Sequence, residues 1–196
     1  MTRPILLLLL ASTFAVIPKF FVIGFTHILP HGLDHILFLL GLFFLTRSFP
    51  ALLLQMTLFT LAHSLTLGLS IYGIVSIPMQ AVEVAIALSI AFIAIENLFR
   101  DELSRWRPAV VFACGMVHGL GFGHSFQQTP LESGDFLAAL FSFNLGIEFG
   151  QLAVVGIVYA VVAAWWKRDW YRAAIARPAS AVIAASGLYW AVERSF

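Results

Sequence analysis

Two kinds of residue are scarce in this chain, and each scarcity removes a class of protein. Cys114 is the single cysteine, which excludes an internal disulfide and any metal cage built from several thiolates. Charged residues occupy only 11% of the 196 positions and nearly cancel, to a formal +1. That leaves no basic footprint for a nucleic-acid partner. Low-complexity linkers, a soluble domain and an internal repeat are also missing. Apolar side chains fill the chain instead: 61% of residues are hydrophobic, 19 of them phenylalanine, and the mean hydropathy is +0.95. A soluble core of this size could not hide so much apolar surface. The expected fold is therefore all-α, a polytopic transmembrane helical bundle forming one integral membrane domain over residues 1–196. The length accommodates six or seven helices of about 20 residues each.

Apolar runs and their interruptions locate the helices. Ile5 to Ile17 has the length of a signal-peptide core, but Thr13-Phe-Ala15 is a poor cleavage site and the run resumes from Phe20 to Phe25. An uncleaved first helix over about 4–28 is the expectation, giving seven helices in all; cleavage would leave six. The second helix is expected over about 31–47, ending at Arg47-Ser-Phe-Pro50. A third runs over about 51–73 and closes at Gly73, and Pro78 opens the fourth by the preference of proline for a first helical turn. Glu96 to Pro108 is a polar loop. The remaining helices are expected over about 108–126, 135–166 and 178–194.

Loop charges orient these spans. Arg3, Arg47, then Arg100, Arg105 and Arg107, then Lys167, Arg168, Arg172 and Arg177 fall in alternate connections. The connections between them carry no basic residue, and the one from Gln127 to Asp135 is acidic. Basic loops stay on the cytoplasmic side, so the N-terminus is expected inside and the C-terminus outside. Lys19, within the first helix, would have to snorkel.

Against this background the stretch His27-Ile-Leu-Pro-His31-Gly-Leu-Asp34-His35 stands out, because it sets three of the six histidines and a carboxylate at the lip of an apolar helix. Ionisable groups there are costly and mark functional sites. A helix would stack His27, His31 and His35 at i+4 spacing on one face with Asp34 alongside; Pro30 and Gly32 can break that stack, and His31, Asp34 and His35 lie beyond the break. Imidazole with carboxylate suits a divalent first-row ion. With the bundle oriented, His31, Asp34, His35, Glu83, His118 and His124 fall in the outer half of the bilayer, His63 mid-membrane, and Asn144 and Glu148 between these depths. The inner half is nearly bare of polar residues.

Each of these residues also has a plainer reading. His63, with Ser64 beside it, and Glu83 could merely bond across helices. His124 follows Gly121-Phe-Gly123 at a helix end and reads as interfacial. Glu96 and Arg100, i+4 apart, read as a structural ion pair. Asn144, Glu148 and Gln151 form a polar stripe on one helix that helix-to-helix bonding alone does not explain. Glycines around His118 allow close helix approach, and also let a neighbour's ligand reach it.

The ordered blocks His27-Ile-Leu-Pro-His31-Gly-Leu-Asp34-His35, Phe59-Thr-Leu-Ala-His63-Ser-Leu-Thr, Val82-Glu83-Val-Ala-Ile, His118-Gly-Leu-Gly-Phe and Phe143-Asn144-Leu-Gly-Ile-Glu148-Phe-Gly-Gln151 resemble the HupE/UreJ family of bacterial membrane proteins. The resemblance implies an inner (cytoplasmic) membrane protein with a hydrogenase or urease accessory role and handling of nickel or cobalt. It sets the Gly-x-Asp-His block on Gly32, Asp34 and His35, and the Ala-His-Ser block on His63.

The expected function is thus transport or accessory handling of nickel or cobalt. His31, Asp34 and His35 would capture the ion, and His63, Glu83, His118 and Glu148 would pass or hold it, with His27, Ser64, His124, Asn144 and Gln151 in support. A second reading is an intramembrane hydrolase holding zinc, with Glu83 or Glu148 as base. A third is a scaffold or assembly subunit. Partners are the metal ion and the lipid bilayer, with a homo-oligomer or a metalloenzyme-maturation protein left open.

Overall fold

The computed structural model describes the backbone of residues 16–127 and 134–196, and the side chains of 16–123 and 134–196. Among the described residues there are seven α-helices and no strand. They are α1 (Val16–Ile28), α2 (Leu33–Leu45), α3 (Phe49–Ile71), α4 (Met79–Phe99), α5 (Arg107–Gln127), α6 (Phe136–Val162) and α7 (Arg177–Glu193), the last continuing from a π-helical turn over Arg172–Ala176. The expected all-α bundle is therefore what the chain forms. The question of a cleaved leader falls on residues outside those described.

Boundaries shift where local chemistry dictates. The expected second helix over 31–47 is shorter, because Leu29-Pro30-His31-Gly32 turns the chain with a cis Leu29–Pro30 bond and helix resumes only at Leu33. With 13 residues, α2 rises about 20 Å, short of the ~30 Å of a bilayer's hydrocarbon. The bend between α1 and α2 is 67°, so the two together amount to one broken span or a re-entrant loop rather than two straight crossings. Four spans, Phe49–Ile71, Met79–Phe99, Phe136–Val162 and Arg172–Glu193, are each long and apolar enough to cross on their own. The π-turn extends the last span back into what the sequence suggested was loop. Gly73, at φ +69°, ends α3 in the left-handed conformation that glycine tolerates best.

Packing follows small residues. Along α3, Leu52, Met56, Phe59, His63 and Leu67 recur every three or four residues and are buried, while Leu53, Leu54, Leu61 and Leu65 on the outer face stay exposed. Such a leucine-faced exterior suits lipid. α5 lies against α3 and α7 against α4. At the first contact, a Cβ on Gly119 would sit 2.2 Å from the His63 carbonyl oxygen, so only glycine lets the two backbones meet. α1 crosses α6 the same way: a Cβ on Gly24 would lie 2.0 Å from the Phe143 oxygen, and one on Gly146 would lie 2.1 Å from the Phe21 oxygen.

The end of the bundle where α2 finishes and α5 begins corrects two expectations. Arg107, expected in a loop, is 1% exposed, and this half of the bundle, expected to be nearly bare of polar residues, holds a buried polar network around it. Its Nη1 donates to Glu96 Oε2 at 2.6 Å, Nε to Gln55 Oε1 at 2.9 Å and Nη2 to the Gly41 carbonyl at 3.2 Å. Asn97 donates to the same carbonyl at 2.8 Å and to Ser180 at 3.1 Å, and Gln55 donates to Thr46 at 3.1 Å. Arg100 remains a partner of Glu96, but a distant one at 3.8 Å. Five segments, α2, α3, α4, α5 and α7, are tied together by one guanidinium and its neighbours.

Candidate metal centre

At the opposite end the turn at Pro30 decides the geometry. A continuous helix would have aligned His27, His31 and His35; the break instead folds the last turn of α1 back over the first turn of α2. His27 and His35 then face each other with ring centroids 4.7 Å apart. α3 contributes His63, 5.8 Å from the His35 ring and 5.9 Å from the His27 ring. Their ligand atoms all lie within 4.8 Å of one another. The close approach at Gly119 brings the neighbouring His118 of α5 to 4.9 Å from His35. Four imidazoles from four helices thus converge.

The environment is apolar and aromatic. Phe59 sits 5.8 Å from the His35 ring and 5.0 Å from the His118 ring, Phe122 sits 4.2 Å from His27, and Phe38 sits 5.3 Å from His118. Within it, His27 Nε2, His35 Nε2, both ring nitrogens of His63 and His118 Nδ1 are buried without a hydrogen-bond partner. Native interiors pair nearly all such groups, and each orphan costs about 1–3 kcal/mol. Five in one cluster, with no protein group to pair them, mark donors that point at one another rather than at the fold. His118 also shows how its tautomer is fixed. Ser89 Oγ donates its only hydrogen to the Ile86 carbonyl at 2.7 Å, so His118 Nε2 is the donor across the 2.9 Å contact with Ser89 Oγ. The lone pair therefore rests on the unpartnered Nδ1, an arrangement that suits metal-ligating imidazoles.

A cleft of about 190 Å³ leads to this group, lined by His27, His31, Asp34, His35, Glu83 and His118 among others. Glu83 and His31 are exposed at its mouth, while His35 and His118 are buried at its floor. His31 is held apart from the other imidazoles, its Nδ1 donating to the Thr26 carbonyl at 3.1 Å. Asp34 is half-buried and engaged by Arg194, whose Nη2 lies 3.0 and 3.3 Å from its two oxygens. His124 lies on α5, and its side chain is outside those described.

The polar stripe of α6 goes elsewhere. Glu148 accepts from Thr57 at 2.9 Å, Gln151 accepts from Thr60 at 3.2 Å, and Asn144 donates to the Leu140 carbonyl at 2.7 Å. Asn144, Glu148, Thr57, Thr60 and Ser64 line a separate groove of about 570 Å³ between α3 and α6. The structure does not gather Asn144 or Glu148 with the histidines. Three participants escaped the sequence reading: Ser89, Arg194 and the buried Arg107. A serine in the apolar run of α4 was the one visible trace of the first, and the other two looked like ordinary terminal or loop charges.

Can the donors fit an ion? Metal–imidazole bonds of about 2.0–2.1 Å set tetrahedral ligand atoms roughly 3.4 Å apart, so the nitrogens of His27, His35 and His63, already within 4.8 Å, would close by at most ~1.4 Å, within reach of side-chain rotation. Imidazoles suit zinc, copper, iron and nickel. Fold and site together define a multi-pass helical membrane protein with a buried imidazole cluster reached by a cleft from one end. The chain belongs to the HupE/UreJ family: the family profile described as HupE / UreJ protein matches residues 6–194, nearly its whole length. No curated protein and no solved structure matches it.

Proposed function

We propose that this protein takes up a divalent first-row ion, nickel or cobalt, from the outer face of a bacterial inner membrane and passes it inward or to a metalloenzyme-maturation partner. The observation that carries the reading is the convergence of unpartnered, buried imidazole nitrogens: His27, His35 and His118 line the cleft, and His63 lies against His27 and His35. Exposed Glu83 and His31, with Asp34, give the mouth oxygen and nitrogen donors that attract a hydrated cation. The imidazoles below exchange its water for nitrogen ligands. Basic residues at the Arg107 end and their scarcity at the cleft support a cytoplasmic N-terminus and an outward-facing cleft.

One observation favours a second reading, a fixed zinc centre of hydrolytic type. Eleven residues along α5 from His118, the other end of the bundle is closed around the buried Arg107 and its network rather than lined with ligands that could relay an ion. In that reading Glu83, which lines the same cleft, is the better placed base, and Glu148 in its separate groove is not.

Radioactive nickel or cobalt uptake into proteoliposomes separates the two. Wild type is expected to load ion well above empty vesicles, and His35→Ala is expected to fall to their level. Wild type that binds ion stoichiometrically yet moves none would replace transport with the fixed-metal reading.

A further inference from the structure

Arg194 follows the last residue of α7 and contacts two residues that line the cleft. Its Nη2 faces both oxygens of Asp34 at 3.0 and 3.3 Å, its Nη1 reaches the Glu83 carbonyl at 3.4 Å, and the guanidinium carbon stands 5.1 Å from the centre of the Trp190 ring. Asp34 and Glu83 both line the cleft that ends on His35 and His118. The mouth of a cleft suited to a cation is thus already held by one, and it occupies the carboxylate lone pairs that an incoming ion would use.

We propose that Arg194 is an ionic latch on the metal cleft: a divalent cation gains Asp34 only by displacing the guanidinium, which swings back over Trp190. The inference rests on the metal-binding reading given above. Three features support it. The pair is partly exposed, with the Asp34 and Arg194 side chains each at less than a third of full accessibility, so it can open without leaving a charge stranded in the interior. The freed guanidinium retains two partners, the Trp190 face and the Glu83 carbonyl. Finally, α7 is anchored independently along α4, where a Cβ on Gly187 would fall 2.7 Å from the Ala91 nitrogen, so release of Arg194 need not disturb the helix. As a latch, Arg194 lowers affinity for any cation that does not ligate well enough to replace it. Weakly coordinating ions such as magnesium or calcium meet a closed mouth, and ions with strong imidazole affinity open it.

The test is Co²⁺ titration of the full-length protein in detergent, comparing wild type with Arg194→Gln, Arg194→Lys, Asp34→Asn and the Arg194→Gln/Asp34→Asn double variant. Removing the positive charge should tighten Co²⁺ binding roughly three- to tenfold, the range expected for a partly exposed ion pair of up to ~1 kcal/mol plus relief of like-charge repulsion. Arg194→Lys, which keeps the charge and the fold, should stay near wild type. Asp34→Asn should bind more weakly, and adding Arg194→Gln to it should recover little. Should Arg194→Gln bind Co²⁺ no more tightly than wild type, or Arg194→Lys bind as tightly as Arg194→Gln, the latch is wrong while the metal centre stands. Absence of Co²⁺ binding in every one of these proteins would overturn the centre and the latch together.

Discussion

The two ends of this bundle handle buried polarity in opposite ways. Around Arg107 the polar groups meet: the guanidinium, Glu96, Gln55, Asn97, Thr46, Ser180 and the Gly41 carbonyl are joined in one network. Roughly 16 Å further along α5, eleven residues at ~1.5 Å each, His118 and its three companions leave five ring nitrogens with no partner at all. Three helices, α2, α3 and α5, supply both regions, so the difference is not one of scaffold alone. A satisfied network holds helices in register. A cluster of imidazoles that the protein itself does not pair is costly in an aromatic shell, and on the proposed reading an ion that accepts several lone pairs at once offsets that cost.

Removing the centre of the first network should produce the largest effect. Arg107→Met deletes the counter-ion of Glu96 and the donors to Gln55 and Gly41, and breaking a buried pair from one side costs about 3–5 kcal/mol. Thermal unfolding of the purified protein should show that loss. A melting temperature within a few degrees of wild type would mean that this end does not hold the bundle together.

The same kind of change at the other end should have the opposite sign. His63 is fully buried with neither ring nitrogen paired, so His63→Leu removes two orphan polar atoms at nearly constant volume. Metal-free protein is expected to be unchanged or stabilised by about 1 kcal/mol, while stabilisation by added Ni²⁺ or Co²⁺ disappears. Destabilisation of the metal-free protein comparable to that of Arg107→Met would erase the contrast between the two ends.

The smallest expected effect sharpens the comparison at the periphery of the Arg107 end. Asp101, in the exposed loop after α4, accepts from Arg172 and lies 3.2 Å from Arg177. The hydrogen bond and charge of Arg172, aided by Arg177 and Arg47, hold its carboxyl below the usual range. A carboxyl depressed in the folded state adds stability above its unfolded pKa of about 3.9 and loses it as pH falls through the lower folded value. Wild type and Asp101→Asn should therefore differ slightly in melting temperature at pH 6 and converge below about pH 4. A constant difference across that window would remove the ion pair from the account.

Membrane class, helix number and the burial of His35, His63 and His118 were legible because composition and period are local properties, and a histidine inside an apolar run is conspicuous wherever the run folds. The i+4 stack of His27, His31 and His35 was a sound inference from a helix that does not exist there. Pro30 turns the chain, so that His27 joins the cluster while His31 points to Thr26. Arg107 read as a loop charge because positive-inside reasoning counts basic residues near a helix end without asking which way each points.

By itself the sequence determined that the chain must bury its helices in lipid and that several imidazoles would be inside them, since hydrophobicity and residue identity need no partner to act. Which imidazoles meet was decided by tertiary structure. Gly119 and Gly24 set how closely α5 and α1 approach their neighbours, and the turn at Pro30 sets how α1 and α2 face each other. Contact between residues as distant as Ser89 and His118, or Asp34 and Arg194, exists only once those backbones are packed.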